Sequence, residues 1–333
     1  MCLLLLFFSF SFFVIKWMYY TAEGRMQMKK WLIGAGIILS YIFVVGFFFT
    51  NQMMYMRKKS DKEIIDRETK DGHYDESEYE AYNKIEVSIP SQFGYDIKGH
   101  LIAPHSTSSY VIICHGVTMN RINSVKYMKL FLKRGINVLI YDHRRHGESG
   151  GKTTSFGHYE KYDLQSVVHW LKDRVGDDLH LGIHGESMGA VTTLLYAGLV
   201  EDGADYYIAD CPFSDLQEQL LYRLKSDFKL PGYLVMPIAR RFLKLRDGYT
   251  IQDVSPIAVM DRIQHPVLFI HSKDDDYIPA AMTQQLFEKK SGMKKLYFAE
   301  KGAHAMSYTE NREEYERIID EFYEEMKEYE TTL

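Results

Sequence analysis

Along most of the chain, short apolar runs alternate with longer stretches whose apolar positions recur at helical spacing. The runs "YVIICHG", "INVLIYD", "LHLGIHG" and "YYIADC" read as buried strands, with helices predicted between them near 123–134, near 159–174 and from 188. After a break come "PVLFIH", a helix near 280–290, "KKLYFAE" and a final helix near 310–329. Strands that are apolar throughout and separated by helices predict an α/β domain, a mostly parallel sheet with helices on both faces. Ahead of them, "KIEVSIP" and "YDIKGHLIAP" alternate apolar with polar positions, which predicts an antiparallel pair at a sheet edge. The break, about 212–265, is too long for a bare connection and holds amphipathic pieces such as "DLQEQLLYRLKSDF". A small helical cap inserted in the sheet order fits it better.

The N-terminus follows neither pattern. Trp31 to Phe49, "WLIGAGIILSYIFVVGFFF", is nineteen residues without a charge. At about 1.5 Å per residue such a helix crosses a hydrocarbon core of roughly 30 Å. Lys29 and Lys30 precede it as they would a signal sequence, yet "TNQMMYMRKK" behind it has no small-x-small cleavage site, so an uncleaved transmembrane anchor at 31–49 is expected. The apolar extension at 1–25 has two open readings, a second span or an artefact of start-site choice, since "MQMKKWL" reads as a natural beginning. Basic residues flank the main span on both sides, so they do not set its orientation. One span would favour an extracytoplasmic domain, and two would return it to the cytoplasm. The charged stretch 50–83 reads as a solvated linker with helical character, and 84–333 as the α/β domain.

Composition narrows the function classes. A net charge of -5 with no basic stripe gives no electrostatic reason to expect nucleic acid. The three cysteines, Cys2, Cys114 and Cys211, do not form an even framework, and no C-x-x-C or H-E-x-x-H spacing suggests a built-in metal or cofactor. No internal repeat is visible, and nothing sets an oligomeric state.

The chemistry centres on a duplicated tetrapeptide. "HGESGG" at 146–151 and "HGESMG" at 184–189 both satisfy G-x-S-x-G. A nucleophile elbow needs a strand entering and a helix leaving, because the tight turn between them lifts the serine hydroxyl above the sheet. Ser187 follows the strand "LHLGIHG" and precedes "MGAVTTLLYAGL", whereas Ser149 lies beyond the end of its strand and precedes "GKTTSFG", which is turn chemistry. Ser187 is the expected nucleophile and Ser149 a loop serine. "HGESGGKT" also approaches a phosphate-binding loop, but His146 stands where that pattern needs glycine and Gly157 interrupts the helix that should start at Lys152.

A serine needs a histidine to take its proton and a carboxylate to orient that histidine. His304, in "KGAHAMSY", is the histidine beyond the last strand-end acids, which lie in "VLFIHSKDDDYIP". On these residues the chain, from about Lys84 to its end, resembles the α/β-hydrolase-fold serine hydrolases, in particular bacterial membrane-anchored ones with a single N-terminal span. The resemblance implies the order serine, acid, histidine. It aligns the family's H-G-x-x-D-x-x-V-P loop with His271 to Pro279, with Ser272 for the usual glycine, and so selects Asp275; Asp274 and Asp276 stay as alternatives, as do Asp210 and Asp215 after the preceding strand. It implies oxyanion donors at the backbone N–H of Val117 and of Met188. It also reads "DHRRHGESGG" as a bracing loop, with Arg144 an internal ion-pair partner; for His143 and His146 a loop-packing role and a catalytic one both stay open, packing coming first.

The expected protein is a membrane-anchored serine hydrolase that cleaves an ester, thioester or amide of a small acyl substrate through an acyl-enzyme, carboxylester cleavage coming first. A serine peptidase of the same fold and a noncatalytic membrane-attached binding module are the alternatives. Leu220, Leu221, Phe228, Leu230, Tyr233, Leu234 and Met236 of the cap would either shape an apolar acyl pocket or hold the cap in place. The expected location is the bacterial cell membrane, with the lipid bilayer as a partner.

Overall fold

The computed structural model describes residues 22–331. It therefore leaves most of the expected 1–25 extension, and Cys2 with it, outside the described residues. Among the described residues, eight strands form one sheet in the order β1-β2-β4-β3-β5-β6-β7-β8. β1 (Lys84–Pro90) and β2 (Asp96–Ile102) are the antiparallel edge pair, and β2 joins β4 (Asn137–Tyr141) antiparallel. From β4 onward every pairing is parallel, through β3 (Ser109–Cys114), β5 (His180–Glu186), β6 (Tyr206–Asp210), β7 (Val267–Ser272) and β8 (Lys294–Ala299).

The apolar runs of β3 to β7 are buried on both faces because two separate helix layers cover the sheet. On one face Leu164, Val168 and Leu171 of a helix at Glu160–Val175 pack with Leu194 of a helix at Met188–Leu199 and Leu286 of a helix at Ala280–Lys289. On the other, Tyr127, Met128 and Phe131 of Val125–Leu132 pack with Ile319 and Phe322 of Arg312–Glu330. The predicted helices fall at these positions with their ends shifted by a few residues. At roughly 25 cal/mol per Å² of apolar surface, these two layers supply the main drive to fold.

In chain order the helices are α1 (Ala22–Met54), α2 (Asp61–Lys70), α3 (Glu76–Ala81), α4 (Val125–Leu132), α5 (Glu160–Val175), α6 (Met188–Leu199), α7 (Leu216–Arg223), α8 (Gly232–Asp247), α9 (Ala280–Lys289), α10 (Ser307–Glu310) and α11 (Arg312–Glu330). α1 extends well past both ends of the 31–49 stretch and is long and apolar enough to cross a membrane. Its apolar stretch is largely exposed, while Met53 and Met54 at its end are buried against the domain.

The 50–83 segment does not lie in solvent as its charge suggests. α2 starts with a capping box between Ser60 and Glu63, α3 with Asp75 as its cap, and together they bury Ile64, Glu68, His73, Tyr74 and Tyr79. Buried Glu68 accepts a hydrogen bond from Asn123 Nδ2 at 3.0 Å, and the Lys59 N–H donates to Thr118 O at 2.9 Å. Charge counting missed this packing because the polar groups find partners on the domain.

Between β6 and β7 lies a layer of α7, a π-helical turn at Leu224–Phe228, α8 and three 3₁₀ turns. α8 packs against α1. Tyr41 Oη donates to Leu234 O at 3.3 Å, the rings of Phe43 and Phe242 meet edge to face at 6.1 Å, and Arg246 donates to Asn51 Oδ1 at 2.6 Å.

Candidate active site

β5 runs straight into α6, and Ser187 is the single residue between them, with φ 55° and ψ −115°. A side chain in that region costs about 1–3 kcal/mol, a strain the surrounding structure must hold. Here the Ser187 N–H donates to Asp210 O at 2.8 Å, and α6 packs against the end of β3. A Cβ at Gly189 would lie 2.6 Å from the carbonyl carbon of Cys114 and 2.8 Å from His115 O, so only glycine lets the helix start there.

Ser187 Oγ lies 2.8 Å from His304 Nε2, and His304 Nδ1 lies 2.7 Å from Asp275 Oδ2. Because a carboxylate only accepts, Nδ1 carries the ring proton and Nε2 turns its lone pair to the serine. Asp275 Oδ1 accepts from the N–H groups of Tyr277 and Ile278, both at 2.9 Å. Burial alone would raise this carboxyl's pKa, but hydrogen bonds from His271 and His304 outweigh it and hold Asp275 ionised well below the usual range. Asp274 and Asp276 are exposed and turned away. Asp215 caps α7 by accepting from the Glu218 N–H at 3.1 Å.

His271 opens the aspartate loop, where its sequence neighbours alone assign it no role. It is fully buried, and its Nε2 faces two acceptors, Asp275 Oδ2 at 3.0 Å and Ile278 O at 2.9 Å, so that nitrogen carries a proton. Nδ1 meets Thr283 Oγ1 at 2.6 Å. The aspartate is thus gripped from both sides.

Val117 and Met188 line the same cavity as Ser187. Met188 is the first residue of α6, where N–H groups have no partner within the helix. The neighbouring loop comes close, since a Cβ at Gly116 would stand 3.6 Å from Ser187 Cβ. Thr118, the residue after Val117, is held at φ 69° and is tied back by Lys59 and by His146, whose Nε2 accepts its N–H at 3.3 Å.

The cavity above Ser187 has a volume of about 230 Å³ and is largely apolar. Leu220, Phe228 and Met236 of the cap line it, whereas Leu221, Leu230, Tyr233 and Leu234 face outward and are exposed. Phe49, Gln52, Met53 and Met56, at and just beyond the end of α1, form another wall. That contribution was invisible in the sequence because it comes from about 130 residues before the serine, counting from Met56 to Ser187. Among the lining residues, Asp227 is the carboxylate, and it is paired with Arg223 at 2.6 Å.

Ser149 has no such freedom. Its Oγ accepts the Lys98 N–H at 2.8 Å and donates to Asp142 O at 2.6 Å, bracing the loop to β2. Lys152 is exposed. Arg144 departs from the ion-pair expectation: its guanidinium stacks on Tyr159 at 4.4 Å, with Phe93 and Tyr95 nearby. The loop's acids pair with Arg121 instead, both Asp142 and Glu148. His143 and His146 are buried beside His115, with ring centroids 4.6 Å and 5.3 Å from it, and desolvation keeps both neutral.

Behind the nucleophile lies a buried polar group the sequence did not reveal. Glu186 pairs with Lys126 at 2.7 Å, both buried, and Tyr127 Oη lies between the two acids, 2.9 Å from Glu186 Oε2 and 3.2 Å from Asp210 Oδ2. Burial opposes charge on both acids. Lys126 overcomes it for Glu186, which stays ionised, while burial and the Glu186 charge push Asp210 up to about 7. Sγ of Cys211 comes within 4.8 Å of ligand atoms of Asp275 and His304. Burial keeps that thiol protonated and the other two are bound to each other, which makes a poor metal site.

The chain is similar to several known proteins. The family described as serine aminopeptidase S33 matches residues 105–246. A Bacillus subtilis protein, YqkD, is 56% identical over 300 residues, covering 90% of this chain and 98% of its own. The lysophosphatidylserine lipase ABHD12 of Xenopus tropicalis is 28% identical over 195 residues, and the match spans 55% of this chain but only 47% of that protein. Among solved structures, the Pyrococcus furiosus esterase Pf2001 superposes with a TM-score of 0.62 at 25% identity, over 76% of this chain and 96% of the esterase.

Proposed function

The chain belongs to the α/β-hydrolase-fold serine hydrolases, and from that premise we propose that it is a membrane-anchored carboxylesterase with Ser187, His304 and Asp275 as its catalytic triad. The observation that carries this reading is the unbroken line from Ser187 Oγ through the His304 ring to Asp275, at 2.8 and 2.7 Å, opening on an apolar cavity.

Ser187 Oγ attacks the ester carbonyl carbon while its proton passes to His304 Nε2. The imidazolium that forms is stabilised by Asp275, which keeps its negative charge. The carbonyl oxygen becomes an oxyanion held by the N–H groups of Val117 and Met188. Collapse of the tetrahedral intermediate breaks the C–O bond, and His304 gives its proton to the leaving alcohol. Water then attacks the acyl-enzyme by the same route, releasing the carboxylic acid and restoring Ser187. A thioester or amide would follow identical steps with a different leaving group.

A peptidase reading has one observation in its favour, the serine aminopeptidase description of the matching family. An aminopeptidase must hold the substrate's ammonium group, and Asp227, the carboxylate on the cavity wall, is already neutralised by Arg223. The apolar lining suits an acyl chain better. The relatives named lysophosphatidylserine lipases make acylated lipids a substrate class to try first. Anchoring rests on α1, with its uncharged nineteen-residue stretch.

A fluorophosphonate probe tests the reading. Wild type and Ser149→Ala should label and hydrolyse p-nitrophenyl acyl esters, and Ser187→Ala should do neither. Labelling that survives Ser187→Ala would refute the triad, and aminoacyl amides turning over faster than esters would favour the peptidase.

A further inference from the structure

α8 does more than roof the cavity. Its neighbours on α1 advance in step with it: Leu234 meets Tyr41, Phe242 meets Phe43 and Gly46, and Arg246 meets Thr50 and Asn51. The two helices therefore run parallel, and the start of α8 lies beside the middle of the apolar stretch of α1. Tyr41 precedes Phe49, the last residue of that stretch, by eight positions, or about 12 Å of helix rise.

The segment at that depth has the composition such a place requires. Phe228 to Ile238, "FKLPGYLVMPI", carries one charge, Lys229. Phe228, Leu230, Tyr233 and Leu234 are exposed, Tyr233 at 77%. Cations follow only higher along α8, at Arg240, Arg241, Lys244 and Arg246, and the last of them reaches Phe47 O and Thr50 Oγ1 at the end of the apolar stretch of α1. An apolar tip below a cationic band is the pattern of a segment dipped into one leaflet, with its basic residues at the headgroups. The cavity is lined along the same seam by Phe49 and Met53 of α1 and by Phe228 and Met236 of the cap, and the Phe49 and Phe228 rings pack edge to face at 5.4 Å to close it.

We propose that the cap tip, Phe228–Ile238, is a second membrane contact inserted beside α1, and that the cavity takes its substrate, an acyl ester resident in that leaflet, directly from the bilayer. The proposal rests on the anchored esterase reading. It makes α1 part of the binding site: an acyl chain leaving the leaflet parts the edge-to-face pair of Phe49 and Phe228 and reaches Ser187 without crossing water.

The test uses the full chain in phosphatidylcholine–phosphatidylglycerol vesicles containing nitroxide-labelled lipids. A polarity-sensitive dye is placed singly at Tyr233→Cys, Ile37→Cys and Glu324→Cys, each with Cys2→Ser, since Cys114 and Cys211 are buried. Blue-shifted, quenched emission is expected at 233 and at 37, and aqueous emission at 324. In parallel, Leu230→Glu with Tyr233→Glu should lower hydrolysis of a vesicle-embedded acyl ester at least about tenfold while sparing a short water-soluble ester and fluorophosphonate labelling. Aqueous emission at 233 with quenching at 37 overturns the inserted tip and spares the anchor; aqueous emission at both overturns both. Equal loss on the two esters, or none on either, overturns access from the bilayer. Should wild type hydrolyse neither ester, the esterase reading falls with the access route, and the dye at 233 still decides the insertion.

Discussion

The two His-Gly-Glu-Ser copies carry the same four residues into opposite circumstances. At 184–187 the tetrapeptide finishes β5, and the serine is forced to φ 55° with its hydroxyl facing His304. At 146–149 it lies in a loop, where the serine hydroxyl already spends its donor on Asp142 and accepts from Lys98. The glutamates diverge as well: Glu186 is buried against Lys126, while Glu148 reaches Arg121 from an exposed position. Histidine follows suit, His184 meeting Tyr315 Oη at 2.9 Å in the core and His146 bonding the loop's own Arg144 O at 2.9 Å. A short motif has no chemistry of its own. Its hydroxyl becomes reactive only where neighbouring elements leave it uncommitted and aim a base at it.

The sharpest way to break this comparison is at the serines. Ser187→Ala should lower ester hydrolysis by about 10⁴-fold or more, measured as kcat/KM, with Ser149→Ala close to wild type. The glutamates come next. Lys126→Met leaves Glu186 charged and unpaired in the interior, so it should cost about 3–5 kcal/mol in denaturant unfolding. Ser149→Ala should cost about 1–2 kcal/mol in the same measurement, because it strips partners from the Lys98 N–H and the Asp142 carbonyl.

Asp210, behind the Ser187 copy, supplies a pH test. Its pKa rises from the ordinary aspartate range in the unfolded chain to about 7 in the folded one, so the native state binds more protons between about pH 4 and 7. Its contribution to stability is therefore present below that window and lost as pH rises through it, at no more than about 1.4 kcal/mol per pH unit. Asp210→Asn should flatten that fall relative to wild type in urea unfolding followed across the window. Smallest of all, Glu148→Ala breaks a pair whose acid is 68% exposed and should change stability by less than about 0.5 kcal/mol. A loss near that of Lys126→Met would mean the two copies are not as different as their burial indicates.

Much of this was legible beforehand. Largely apolar runs located β3 to β7, because strands covered on both faces must bury nearly every side chain. The strand before Ser187 and the helix after it separated the two serines. Asp275 came from a resemblance in its loop, and the structure brings it onto His304 while Asp274 and Asp276 face solvent. Arg144 was misjudged, since an arginine's partner, ring or carboxylate, depends on what the fold brings opposite it. The stretch at 50–83 was misjudged for a related reason, its charges concealing an apolar face with Ile64, Tyr74 and Tyr79.

By itself, the sequence determined which segments are strands, which serine can stand at an elbow and which nineteen residues can cross a bilayer. These follow from local periodicity, turn chemistry and length, all of which act over a few neighbouring residues. Only the tertiary structure decided that His271 grips Asp275 from behind, that Lys126 neutralises Glu186 and that α1 and α8 run side by side to wall the cavity. Those contacts join residues far apart in the chain, and they exist only once the sheet has set the distance between them.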